Sequence, residues 1–188
     1  MSAFTINVGG DIFADVSHVE DTVTVIAHGV NIRGVMGGFA GLIDKKFPWD
    51  AALYREACVD GDLRAGFTNI TGTDDAPEGP NLWIAHVASQ VEPGPDAKVG
   101  LLISALNDMY GHLTAYLSEQ FYDRIHVDVR LPLIGGGIGG IDPLVSAAVI
   151  RTSAEHVASD GYDISTTLYL LDSDPHTEAV VAAVGSES

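Results

Sequence analysis

The sequence predicts an α/β sandwich on a mostly parallel central sheet, and three observations predict it. Apolar, β-branched segments alternate with helical segments along most of the chain, the pattern of a sheet covered by helices. Two glycine-rich runs, Gly34 to Gly41 and Gly135 to Gly140, each follow a predicted strand. In such folds ligands sit beyond the carboxyl ends of the strands, so both runs are expected at one edge of the sheet. Finally, 188 residues with 46% hydrophobic and 19% charged content suffice for one domain with its own core.

Taken in order, Phe4 to Val8 forms a first strand, broken by Gly9-Gly10. Val23 to Ala27 is the second and most β-like, because Val, Thr and Ile fit a pleated surface. Gly38 to Phe47 is a short helix ended at Pro48. Asp50 to Asp60 is a second, with Leu53, Ala57 and Cys58 at helical spacing and Gly61 as its stop. Phe67 to Thr71 and Leu82 to Val87 are strands separated by a Gly-, Asp- and Pro-rich turn over residues 72–80. Asp96 to Tyr116 is a long amphipathic helix whose buried stripe runs from Val99 through Leu102, Ile103, Leu106, Met109 and Leu113 to Tyr116. Ile125 to Leu131 alternates as a strand does. Asp142 caps a helix that has Pro143 at its first position and runs to about Ser159. Ser165 to Leu171 is the last strand. Residues 1–172 are expected to form the domain, and the acidic, small-residue segment 173–188 a flexible tail that frays.

Composition narrows the function. A formal net charge of −17 argues against binding a nucleic-acid backbone, which needs a basic surface. It leaves room for one anionic ligand held by backbone N–H groups, which carry no formal charge. Cys58 is the only cysteine, so no intramolecular disulfide and no cysteine-based zinc site can form, and a core position is expected for it. His18, His86, His112, His126 and His156 show no metal-ligand spacing, so they are expected to be structural or surface residues, and neither a metal nor a cofactor is expected. No signal-peptide pattern and no apolar run of about 18 residues is present, so a cytoplasmic protein without a membrane partner is expected. Oligomeric state stays open.

The run from His28 to Gly41 carries the chemistry. A glycine-rich loop that opens a helix offers backbone N–H groups to a phosphate, and glycine permits the close approach. The run is neither a Walker A loop nor a G-x-G-x-x-G fingerprint, so a nucleotide-like diphosphate in a different loop is expected. His28, at a strand end, is either a satisfied structural imidazole or an acid/base group titrating near neutrality. Asn31 either forms a turn or touches the ligand, and the same pair of readings applies to Asp11 after Gly9-Gly10.

In order and spacing these pieces resemble the macro domain family, which binds ADP-ribose. The resemblance rests on Gly10-Asp11-Ile12-Phe13, on Ile26 to Gly41, on Phe47-Pro48 with Tyr54 to Cys58, on Gly61 to Gly66, and on Pro132 to Gly140. Met36 to Ala40 and Lys45-Lys46-Phe47-Pro48 look most like the branch of terminal ADP-ribose protein glycohydrolase, DNA ADP-ribosyl glycohydrolase antitoxins and yeast-type ADP-ribose-1''-phosphate phosphatase. The resemblance implies a three-layer α/β/α sandwich with a mixed, mostly parallel sheet. It implies that Asp11 accepts a hydrogen bond from the adenine amino group and that Ile12 offers its N–H to the ring. Asn31 would contact the distal ribose. Gly34, Val35, Met36, Gly37, Gly38 and Phe39 would wrap the diphosphate and that ribose, together with Gly135, Gly136, Gly137, Ile138 and Gly139. Leu171 would lie near the adenine edge.

Two positions depart from that branch. Gln90 stands where its glycohydrolases carry a lysine, and Gly139 where they carry an aspartate. Glutamine has no primary amine, so a Schiff base with an opened ribose is not expected. His28 matches a histidine that the phosphatase carries three residues before the loop asparagine. The expected activity is therefore hydrolysis of an ADP-ribose derivative, ADP-ribose 1''-phosphate in the first place, with His28 as acid/base and Asn31 positioning the ribose. The alternatives are a non-catalytic reader or sequestering protein for ADP-ribose or a related nucleotide signal, and hydrolysis by a ligand-bound water.

Overall fold

The computed structural model describes residues 3–15, 21–72, 81–119 and 125–185. His18 and the turn over residues 73–80 lie outside the described residues. In chain order the strands are β1 (Phe4–Val8), β2 (Thr22–Asn31), β3 (Thr68–Thr71), β4 (Leu82–Gln90), β5 (His126–Pro132) and β6 (Ile164–Leu170). The helices are α1 (Phe39–Lys46), α2 (Pro48–Asp60), α3 (Val99–Glu119), α4 (Pro143–Ser159) and α5 (Thr177–Val184).

The strands form one sheet in the order β1-β6-β5-β2-β4-β3. Every pairing is parallel except β3 with β4, so the sheet is mixed and mostly parallel. Helices α1 and α2 cover one face of this sheet, and α3, α4 and α5 the other. Alternation along β2 divides its side chains between these layers. Val23, Val25 and Ala27 join the larger core with Leu106, Met109, Leu131 and Ile150. Ile26 joins Ile43, Phe47 and Ile84 under α1, and Val30 joins Tyr54, Leu63 and Ala88 under α2. A central parallel strand is covered on both faces, and β2 is accordingly buried or half-buried throughout, its polar Thr24, His28 and Asn31 included.

Local signals end the helices as expected. Gly61 closes α2 in the left-handed conformation (φ 77°), and its N–H donates to Ala57 O. Asp142 caps α4, accepting from the N–H groups of Leu144 and Val145. Pro48 begins α2 rather than only ending α1, because a proline at the first helical position sacrifices no helical hydrogen bond.

Three expectations need correction. Strand β2 runs four residues past Ala27, because β4 continues beside it and extends the ladder to Asn31 opposite Gln90. His28 therefore lies inside the strand. Second, the segment after β6 does not simply fray: residues 177–184 form α5, whose Val180 and Val184 are buried against α4. Its small residues still form a two-turn apolar stripe, and docking supplies the stability that its length alone would not. Third, Cys58 is half-buried on α2 rather than in the core. Among the described residues, no helix is long and apolar enough to cross a membrane, and no group of three potential ligands is placed to hold a metal ion.

Candidate functional site

A cleft of about 290 Å³ opens at the carboxyl ends of β2, β4 and β5. The loop after β2 supplies Asn31, Val35, Gly37, Gly38 and Phe39 as walls. The loop after β5 supplies Gly135, Gly137, Ile138 and Gly139. The two loops meet where Gly38 approaches Ile138: a Cβ on Gly38 would lie 3.0 Å from Ile138 Cδ1, and its φ of +55° already favours glycine. Gly135 is favoured by its φ of +76°, and a Cβ there would also meet Ile141 Cδ1 at 2.8 Å, so that side-chain end would have to move. Gly37 and Gly137 face open space instead, with nothing within 4 Å of an added Cβ.

The loops carry unpaired donors. Among the described residues, the N–H groups of Gly37, Gly38, Phe39 and Ala40 at the start of α1 make no hydrogen bond within the protein. Those of Gly135, Gly137, Ile138 and Gly139 make none either. An α-helix leaves its first N–H groups without intrahelical partners, and here no side chain caps α1. Donors from both loops with no internal partner, lining one cleft, suit an anion.

Asn31 organises its own loop. Its Oδ1 accepts from Arg33 N (2.9 Å) and Val35 N (3.3 Å), and its Nδ2 donates to Val35 O (2.7 Å). The Tyr54 hydroxyl donates to the Asn31 carbonyl at 2.6 Å, anchoring the strand end to α2. The turn and ligand readings of Asn31 are thus compatible, since one Nδ2 proton remains and the residue lines the cleft.

His28 does not line the cleft. Its ring is fully buried beneath the α1–α2 layer, where His28 Nε2 lies 2.8 Å from His86 Nδ1. The Thr71 hydroxyl donates to Asp50 Oδ1 at 2.5 Å, leaving its oxygen to accept from His86 Nε2 at 3.4 Å. A neutral imidazole has one N–H, so His86 carries it on Nε2, and His28 Nε2 then donates to His86 Nδ1. His28 Nδ1 has no hydrogen-bond partner among the described residues. Burial pushes the His28 pKa down to about 3. Burial also pushes His86 well below its ordinary value, with His28 beside it adding to this and a hydrogen bond with the Asp50 backbone opposing it. The acid/base role expected for His28 needs contact with the ligand, and the geometry does not provide it: its ring is fully buried and is not among the residues lining the cleft. His86, far from being dispersed, is the partner of His28.

The other expected residues divide. Asp11, Ile12 and Leu171 sit at the carboxyl ends of β1 and β6, along the same sheet edge but outside the enclosed cleft. Asp11 Oδ1 accepts from Phe13 N at 2.9 Å, and Ile12 is buried with an N–H that makes no hydrogen bond among the described residues. Arg130 holds this turn by donating to the carbonyls of Ile12 and Ala14. Leu171 is largely exposed. Met36 turns inward to pack on both smaller clusters. Gly34 adjoins Arg55, and Gly136 adjoins Leu133, so neither lines the cleft. Sequence reasoning did not assign Gly29, Val30, Pro93, Gly94, Pro132, Leu133 or Ile134 to the site, and all of them line the cleft. Gly29 had a signal, since glycine inside a strand marks close approach: a Cβ there would lie 2.8 Å from Ile134 Cγ2.

No protein-family model matches the chain, and no curated protein matches it in sequence. Solved structures do match in shape. The macrodomain of Mycobacterium tuberculosis DarG superposes with a TM-score of 0.68 at 21% identity, covering 89% of this chain and 97% of that one. Thermosipho africanus DarTG in complex with ADP-ribose gives 0.70 at 17% identity, covering 97% of this chain and 46% of that one. A Trypanosoma brucei macrodomain in complex with ADP-ribose gives 0.63 at 13% identity, covering 96% and 69%. With its sheet order, its helix layers and these matches, the chain has the macrodomain fold.

Proposed function

We propose that this chain binds ADP-ribose or a derivative of it, and acts as a reader or sequestering protein. The observation that carries the reading is the pair of glycine loops presenting unpaired N–H groups across one cleft. Two solved proteins of this fold are complexes with ADP-ribose, which favours that ligand over other diphosphates. No ionisable side chain lines the cleft among the described residues, which favours binding over turnover. The His28-based hydrolysis of ADP-ribose 1''-phosphate finds no support in the position of His28, whose ring is sealed from the cleft.

Calorimetric titration with ADP-ribose, with AMP as control, tests the reading. Micromolar-range binding of ADP-ribose and much weaker binding of AMP are expected. Gly137→Val should weaken ADP-ribose binding by about tenfold or more, since filling a packed site costs more than 1 kcal/mol. Its fold should survive, because an added Cβ meets nothing there within 4 Å. Absence of ADP-ribose binding by the parent chain refutes the reading; release of phosphate or ribose products during incubation refutes its non-catalytic half.

A further inference from the structure

Asn31 and Gln90 are the two residues with polar side chains among the described residues lining the cleft. They are register partners at the ends of the neighbouring strands β2 and β4. Asn31 has committed its side-chain oxygen to its own loop. Gln90 has done the reverse. Its Nε2 donates to Glu92 O at 2.8 Å and to Gly94 O at 3.3 Å, which uses both amide protons. Two facing carbonyls set the orientation of this amide, because a flipped group would place oxygen against oxygen. Gln90 Oε1 makes no hydrogen bond among the described residues, and it is not among the buried unpaired atoms.

The loop that holds Gln90 is itself tied down. Asp96 Oδ2 accepts from Val91 N and Glu92 N, both at 3.0 Å. Arg33 reaches across from the first glycine loop to Glu92, with Nε at 3.0 Å and Nη2 at 2.5 Å from Oε1. Gln90 Oε1 is thus a preorganised acceptor in a cleft whose glycine loops otherwise present donors. Phosphate oxygens have no proton for it. A hydroxyl does.

We propose that Gln90 is a specificity-determining residue: its Oε1 accepts a hydrogen bond from a hydroxyl of the sugar beyond the diphosphate. The cleft then selects a diphosphate that carries a hydroxylated group over one that ends in phosphate. This rests on the ADP-ribose reading above and adds the side chain that distinguishes ADP-ribose from ADP.

Titrations of ADP-ribose and of ADP into the parent chain, Gln90→Leu and Gln90→Glu test it. The leucine variant keeps a branched side chain one bond shorter and removes the acceptor together with the amide donors. It should lower affinity for ADP-ribose about tenfold and leave ADP within about twofold, the size of one hydrogen bond lost. Gln90→Glu keeps an acceptor, so its ratio of ADP-ribose to ADP affinity should stay near that of the parent even if both affinities fall. Equal losses for both ligands in Gln90→Leu would make Gln90 a scaffold for residues 91–94 and overturn the inference. An unchanged ratio in Gln90→Leu, or a collapsed ratio in Gln90→Glu, also overturns it. If the parent chain binds neither ligand, the ADP-ribose reading itself fails; if it binds both equally, only the selectivity does.

Discussion

Single residues set the limits of the chemistry here. His28 and His86 form a neutral pair held by Thr71 and Asp50, with the Tyr54 ring stacked on His86 at 5.0 Å. Both pKa values are lowered in the folded state, so the unfolded chain binds more protons wherever pH falls below the ordinary histidine value. Stability contributed by the neutral pair is present above about pH 6.5 and declines as pH drops toward the folded values. Urea denaturation should therefore show stability falling from pH 6.5 to 5, before most carboxylates titrate, at up to about 1.4 kcal/mol per pH unit for each histidine. A flat profile over that range would mean that the imidazoles are not buried neutral. Neither histidine offers a proton to the cleft, and the cleft's own polar side chains, Asn31 and Gln90, do not titrate. A histidine three residues before a loop asparagine was legible in the sequence. Which way its ring points was not, since β2 is buried or half-buried on both faces, so a polar residue in it does not mark a solvent face.

At the scale of elements, the glycine loops were legible because their composition has a local cause. Gly38 and Gly135 hold positive φ and approach a neighbouring side chain closely, and no other residue meets both demands cheaply. Helix α5 was not legible in the same way. Its eight residues, six of them Ala or Val, are too few to be helical alone, and they acquire order by docking Val180 and Val184 on α4. Val180→Ala removes two buried methyl groups and should cost about 2 kcal/mol. That corresponds to a fall in Tm of roughly 4–8 °C for a chain of this size. A loss too small to measure would show that the segment after β6 adds nothing to the core. Strand ends behaved as the helix did: β2 and β4 lengthen each other by pairing, which a propensity read one strand at a time does not register.

The whole molecule combines a strongly acidic composition with a cleft lined by N–H groups unpaired among the described residues. With a net charge of −17, long-range electrostatics would oppose the approach of the proposed ligand ADP-ribose, while those N–H groups would attract it at short range. Screening shortens from about 30 Å at 0.01 M salt to about 8 Å at 0.15 M, so it weakens the repulsion and spares the contacts. Affinity for ADP-ribose should thus rise or hold as salt increases over that range; a steep fall would point to a cationic side chain in the site. The sequence by itself determined the alternation of strands and helices and the two glycine loops at one sheet edge, because each depends on periodicity or on backbone freedom along a few residues. Only the tertiary structure decided that His28 lies beneath the α1–α2 layer, that Gln90 lines the cleft with its oxygen unpaired among the described residues, and that α5 is part of the core. Those outcomes depend on which layer covers each face and which strand extends its neighbour, contacts between segments distant in the chain that no local pattern records.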